Sequence, residues 1–313
     1  MTPEQRSTNN WLTKVWASLE LMRPANIVTA FADILAGFAA AGGVTLYLTQ
    51  GSETLLPEGL ASLLIATFGL YAGGVVLNDV FDAELDAHER PERAIPSGRI
   101  SRSFAAFLGA LLLGGGTVFA FLVNITAGFL ALAVAICVLI YDMFAKHSVI
   151  WGPLFMGLCR GGNLLLGASV FPAMLTVLWP LALLPILYIG AITLVSQGEV
   201  QGGNRSSGYL ATGIILMITV ALILLGPLTG LSFQLGSALP FIALFAFRVL
   251  PPFYRAAREP IPDTIRIAVK RGVLSLIILN SAVAAGFAGF LTGLVILLLL
   301  PISLLLANLF DVT

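Results

Sequence analysis

The sequence predicts an all-α fold, a polytopic bundle of membrane-spanning helices, on three observations. Of its 313 residues, 58% are hydrophobic and only 10% charged, whereas soluble domains carry about 25% charge. The mean hydropathy of +0.98 agrees. Second, apolar runs near the roughly 20 residues that cross a bilayer recur along the whole chain. Third, lysine and arginine gather in alternate loops between those runs.

Taken in order, the runs cover residues 26–48, 58–78, 103–123, 126–144, 149–170, 174–196, 208–229, 235–253, 270–288 and 290–309. Nine to ten spans follow, because the last two are parted only by a short turn around Gly289–Gly293 and form either two crossings or one bent element. Pro24 suits the first helical position of the first run, and Asn26 can line a cavity mouth there. Pro91 and Pro96 end the helix that follows the second run and stiffen the next connection. Ser101 is placed to cap the third.

Arg6, Lys14 and Arg23 precede the first run, and Arg90, Arg93, Arg99 and Arg102 follow the second. Lys146 follows the fourth and Arg205 the sixth, while Arg248, Arg255, Arg258, Arg266, Lys270 and Arg271 lie around the connection of the eighth to the ninth. The alternate loops, among them 51–57 and 124–125, carry none. Basic residues in short loops mark the cytoplasmic side, so both termini are expected there, in a cell inner membrane. No cleaved signal peptide is evident. A net charge of zero gives no reason to expect a nucleic-acid partner. Cys137 and Cys159 have no metal-ligand spacing and read as small core residues.

Directly after the second run stands Asn78-Asp79-Val80-Phe81-Asp82-Ala83-Glu84-Leu85-Asp86. On a continuing helix Asn78, Asp79, Asp82 and Asp86 fall within about 100° of one another, with Glu84 opposite. Three carboxylates on one face repel unless a cation lies between them. Oxygen-only ligands suit Mg²⁺, which takes one or two carboxylates and leaves positions for phosphate oxygens. Asn78, Asp79, Asp82 and Asp86 are therefore the candidate metal ligands, and a Mg²⁺–diphosphate site at a membrane surface is the first hypothesis. Arg90, Arg93, Arg99 and Arg102 beside it either neutralise phosphate or act as topological charges.

Other polar residues offer two readings each. Lys146, after Tyr141-Asp142, reaches phosphate or snorkels to the interface. Arg160 and Asn163, one turn apart inside the fifth run, face a polar cavity or a paired partner, and Asp33 in the first run is the natural structural partner. The run Ser196-Gln197-Gly198-Glu199-Val200-Gln201-Gly202-Gly203-Asn204-Arg205 is a neutral linker or a second wall of the same site, with Glu199 its single carboxylate.

These residues together resemble the UbiA superfamily of intramembrane prenyltransferases, and more narrowly the UbiA-like proteins called EboC. Asn78, Asp79, Asp82 and Asp86 match the family's first motif in full. The stretch from Arg90 to Ser101, Arg23-Pro24 with Asn26, Tyr141 with Lys146, and Asn163 to Gly167 are also similar. The likeness covers about residues 20–290 of a single integral-membrane domain, 1–313. It implies a helical bundle around a lipid-open cavity, where Mg²⁺ holds an allylic polyprenyl diphosphate and a lipophilic, often aromatic, acceptor captures the allylic cation. It makes Asp79, Asp82 and Tyr141 catalytic, and places Asn26, Arg90, Arg93, Lys146, Asn163, Glu199 and Arg205 on substrate. One departure stands out. Where the family's second motif supplies several aspartates, this chain aligns Gln197, Val200 and Asn204, with Glu199 one residue out of step.

Prenyl transfer is thus the leading expectation, with intramolecular cyclisation as a variant. The alternatives are a non-enzymatic binder or carrier of isoprenoid lipid, which the eroded second motif favours, and a secondary transporter, for which no inverted repeat is evident.

Overall fold

The computed structural model describes residues 3–50 and 59–310; the loop over 51–57, which has no lysine or arginine, lies outside them. The helices are α1 (Pro3–Met22), α2 (Pro24–Ala40), α3 (Gly43–Gln50), α4 (Leu60–Phe81), α5 (Ala83–Glu89), α6 (Arg102–Val123), α7 (Ile125–Ile140), α8 (Trp151–Ala168), α9 (Leu175–Leu178), α10 (Leu183–Ser196), α11 (Arg205–Ile223), α12 (Leu225–Thr229), α13 (Leu235–Arg258), α14 (Pro262–Ala288), α15 (Phe290–Leu297) and α16 (Leu299–Leu306). A π-helical turn, Tyr141–Ala145, extends α7.

Seven helices among the described residues are long and apolar enough to cross a membrane, eight when a bent pair counts as one. This is below the nine to ten expected, for three reasons. The first run is broken: α2 and α3 meet at 65°, where Gly42 adopts φ +85°, a conformation open to glycine at little cost. The fifth run forms α8, which interrupts its apolar residues with Arg160, Asn163 and five glycines and is not among the seven. The last run splits into the short helices α15 and α16.

Ahead of the bundle, α1 leaves Trp11, Leu12, Val15 and Trp16 exposed and buries Ala17 and Leu21 against Val76 and Val80 of α4 and Ala94 and Ile100 beyond it. It lies across the segment that carries the aspartates. The main core divides in two, one cluster among α2, α4, α6 and α7 and another among α8, α10, α11, α13 and α14. Leu166 of α8 belongs to the first, Leu164 and Ala168 to the second. Small residues bring α2 and α8 close, as in membrane helix pairs generally: a Cβ on Gly37 would overlap Leu164 O, and one on Gly167 would overlap Ile34 O. That approach sets Asp33 of α2 against Arg160 and Asn163 of α8.

Candidate active site

The helix bearing the first motif does not run on unbroken. It bends at Asp82, between α4 and α5, yet Asp82 N donates to Asn78 O at 2.9 Å and Asp86 N to Asp82 O at 2.8 Å. Those bonds keep the helical sense of rotation, and Asn78, Asp82 and Asp86 reach one cavity while Glu84 stays outside it.

That cavity, of about 380 Å³, is a polar mouth lined by Asn26, Asn78, Asp82, Asp86, Arg90, Arg93 and Glu199 among others. Beyond it an apolar chamber of about 180 Å³ is walled by Leu70, Val75, Val134 and Val138. Arg23, Tyr71, Asn78, Tyr141, Met156 and Arg160 line both and so form the partition between them.

Every aspartate of the motif is paired with a cation. Arg23 Nη2 meets Asp79 Oδ1 at 2.8 Å, and Arg93 Nη1 spans Asp86 Oδ2 at 2.8 Å and Asp79 Oδ1 at 3.5 Å. Lys146 Nζ pairs with Asp82 Oδ1. Asp79 lies behind the two arginines and does not itself line the mouth. Lys146 faces a separate lateral groove with Asp82, Asp142, Phe81 and Phe144. Burial works against the charge of Arg93, but Asp79 and Asp86, with Asp82 further off, outweigh it and raise its pKa.

Arg23 holds its position with φ +47°, the one positive value outside glycine among the described residues, and such strain collects at functional sites. On the partition, Arg160 Nε lies 3.0 Å from Asp33 Oδ2, Arg160 Nη2 donates to Thr29 Oγ1 at 3.0 Å, and the guanidinium sits 5.4 Å from the Tyr71 ring centroid. The expected Asp33–Arg160 pairing is therefore present. Asn163 lines the chamber with its amide engaged: it donates to Ala30 O and Asp33 Oδ2 and accepts from Thr67.

No three His, Cys, Asp or Glu side chains among the described residues converge as a ready-made metal cluster. The donor chemistry still fits Mg²⁺. Asp82 and Asp86, one turn apart on the mouth, supply the two carboxylates that this ion takes when phosphate provides further ligands.

A polar mouth of carboxylates and guanidiniums above an apolar chamber agrees with the sequence match, in which the model of the UbiA prenyltransferase family covers residues 34–268. The chain belongs to the UbiA prenyltransferase family. A digeranylgeranylglyceryl phosphate synthase of Methanosarcina mazei is 33% identical over 228 residues, 64% of this chain and 76% of its own. The corresponding synthase of Methanothrix thermoacetophila is 32% identical over 238 residues, 72% and 85% of the two chains. A UbiA homolog from Aeropyrum pernix K1 shares the fold at TM-score 0.64 and 16% identity, over 83% of this chain and 97% of its own. So does a UbiA homolog from Archaeoglobus fulgidus bound to GPP and Mg²⁺, at TM-score 0.52 and 13% identity, over 90% and 99%.

At the second wall, two of the three positions that the resemblance placed on the site turn away from it. Gln197 Nε2 donates to Ser148 O at 3.3 Å, and Asn204 caps α11 by accepting from Ser206 N at 2.9 Å. Both line a separate groove. Glu199, one residue out of step in sequence, is the carboxylate that faces the mouth, beside Val200. The cause is local: after Ser196 the chain follows i→i+3 turns, Gly198 N to Val195 O and Glu199 N to Ser196 O, and a tighter turn rotates successive side chains further than an α-helix does. Burial raises the Glu199 pKa, against the opposing pull of Arg90 and Arg266. Arg205, expected on substrate, is exposed in the first turn of α11 and lines neither mouth nor chamber. Accordingly, Gln197→Asp is expected to leave Mg²⁺-dependent donor binding within about twofold of wild type by calorimetric titration, because its carboxylate would point into another groove.

Tyr71 escaped the sequence reading, while Arg23 and Asp142 were named in it without a place in the site. A basic residue ahead of a span reads as topology, a lone tyrosine in an apolar run carries no pattern, and Asp142 is known as a wall only through packing.

Proposed function

We propose that this chain transfers a prenyl group from an allylic prenyl diphosphate to a hydroxyl of a lipophilic glyceryl phosphate acceptor, forming an ether within the membrane. The observation that carries this is the polar mouth, where Asp82 and Asp86 stand beside Arg23, Arg90 and Arg93 and open onto the apolar chamber. The two synthases of similar sequence are named for a glyceryl phosphate product, which favours an alcohol over an aromatic acceptor. The mouth and both termini would face the cytoplasm, following the basic loops.

Asp82 and Asp86 would hold Mg²⁺, with Asn78 beside them on the mouth and Asp79 in reserve behind. Bound there, the ion would neutralise diphosphate charge and favour its departure. The protein's own cations do the rest. A diphosphate entering the mouth competes with Asp79 and Asp86 for Arg23 and Arg93, and their donors turn from carboxylate to phosphate. Arg90 adds charge at the rim. Tyr71, Tyr141 and the valines of the chamber exclude water from the reacting carbon. The C–O bond to diphosphate breaks with its electron pair on the leaving group, the acceptor oxygen bonds to the freed carbon, and its proton is released.

The test is nanodisc-embedded protein with geranylgeranyl diphosphate, geranylgeranylglyceryl phosphate and Mg²⁺. The expected result is the diether by mass spectrometry with stoichiometric diphosphate release. Folded protein that binds the donor but yields no ether on this acceptor would overturn the assignment. Donor binding without any release of diphosphate would instead favour a carrier, the reading that the lone Glu199 of the second wall supports.

A further inference from the structure

Asp142 takes no part in that account, yet it is built into the site. It stands on the π-helical turn Tyr141–Ala145, whose wide i→i+5 bond runs from Lys146 N to Tyr141 O at 3.0 Å. π-helical turns inside α-helices recur at functional sites. The residue is 3% exposed and lines both the chamber, with Asn78 and Tyr141, and the lateral groove that holds Lys146. Its Oδ1 accepts from Asn78 Nδ2 at 2.9 Å. Its Oδ2 is buried and has no hydrogen-bond partner. A buried carboxylate oxygen without a donor is costly and rare, and here its side chain lines a chamber where Leu70, Val75, Val134 and Val138 stand beside polar residues such as Thr67, Tyr71 and Asn163.

We propose that Asp142 is the anchor for the acceptor's hydroxyl: an O–H group carried into the chamber on a lipid tail donates to Oδ2. The inference rests on the acceptor being an alcohol, as argued above. It assigns the chamber a ligand class, long-chain alcohols whose tail packs on Leu70, Val134 and Val138 while the hydroxyl meets Asp142. It also gives selectivity. An ether of the same tail has no proton to donate and would set its lone pairs against the carboxylate. A site shaped to hydrogen-bond a hydroxyl rejects the analogue that lacks it.

Geranylgeraniol and its methyl ether provide the probes, titrated calorimetrically into the full chain in nanodiscs with empty nanodiscs as the blank. Wild type is expected to bind the alcohol at least about tenfold more tightly than the ether. Asp142→Asn keeps an oxygen for Asn78 but presents an N–H group in place of Oδ2, one that alcohol and ether satisfy alike. The preference is then expected to fall to about twofold or less, with the thermal midpoint reporting an intact fold. Equal binding of alcohol and ether to wild type, no binding of the alcohol, or an unchanged preference in the variant would each overturn the proposal. Should Asp142→Asn not fold, the wild-type preference alone decides. Failure of the ether-forming assay with this preference intact would remove the glyceryl phosphate assignment and leave Asp142 as an alcohol anchor.

Discussion

Asp82→Asn is expected to weaken Mg²⁺-dependent binding of geranylgeranyl diphosphate on the order of 100-fold while leaving the protein folded. The charge balance of the mouth is the reason. Of its arginines, Arg23 and Arg93 are already shared with Asp79 and Asp86 and Arg160 with Asp33, so Arg90 is left to meet a diphosphate, whose charge calls for a metal as well. Asp82 is the carboxylate best placed to receive one: it lines the mouth, and its pairing with Lys146 lies toward the lateral groove. Its removal takes the partner from one cation, Lys146. Asp79→Asn is a poorer experiment, because it takes the shared partner from two half-buried guanidiniums and confounds binding with stability. Calorimetric titration with and without Mg²⁺, beside a thermal melt, separates the two. Binding by Asp82→Asn as tight as wild type would show that the metal lies elsewhere.

The largest effect on stability is expected at the buried pair between α2 and α8. Arg160→Met should cost about 3–5 kcal/mol, since breaking one side of a buried ion pair leaves the other charge uncompensated. Asp33 is fully buried. Its remaining donors would be Asn163 Nδ2 at 3.1 Å and Asn280 Nδ2 at 2.6 Å. These neutral amides tie together α2, α8 and α14 but cannot balance a carboxylate. The double variant Asp33→Leu, Arg160→Met should recover much of the loss, as apolar replacements of whole buried pairs commonly do. Unfolding midpoints of wild type, Asp33→Leu, Arg160→Met and the double variant in the same nanodiscs give the coupling between the two residues. Additive losses would mean that the two charges do not act as a pair.

Hydropathy made the bundle legible because it reports a one-dimensional property: a helix must be long and apolar to cross. The first motif was legible for a similar reason, as spacing on a helix survives a mild bend at Asp82. What sequence could not carry was direction. Gln197 and Glu199 differ by two places, and only the tight turns after Ser196 decide which of them looks into the mouth. Arg205 follows a predicted wall yet points away from it, because Asn204 starts a new helix there. The break at Gly42 was equally hidden, since glycines are common in membrane helices and only some of them bend the chain. Arg23 looked like a topological charge until folding brought Asp79, 56 residues away, against it.

Arg23 has a second consequence. It is at once the joint between α1 and α2 and a side chain clamped to the metal-motif helix. Whatever loosens its grip on Asp79 also frees the elbow on which the amphipathic α1 hangs. A substitution at either end of that contact is therefore expected to disturb both the seat of α1 and the arrangement of the mouth.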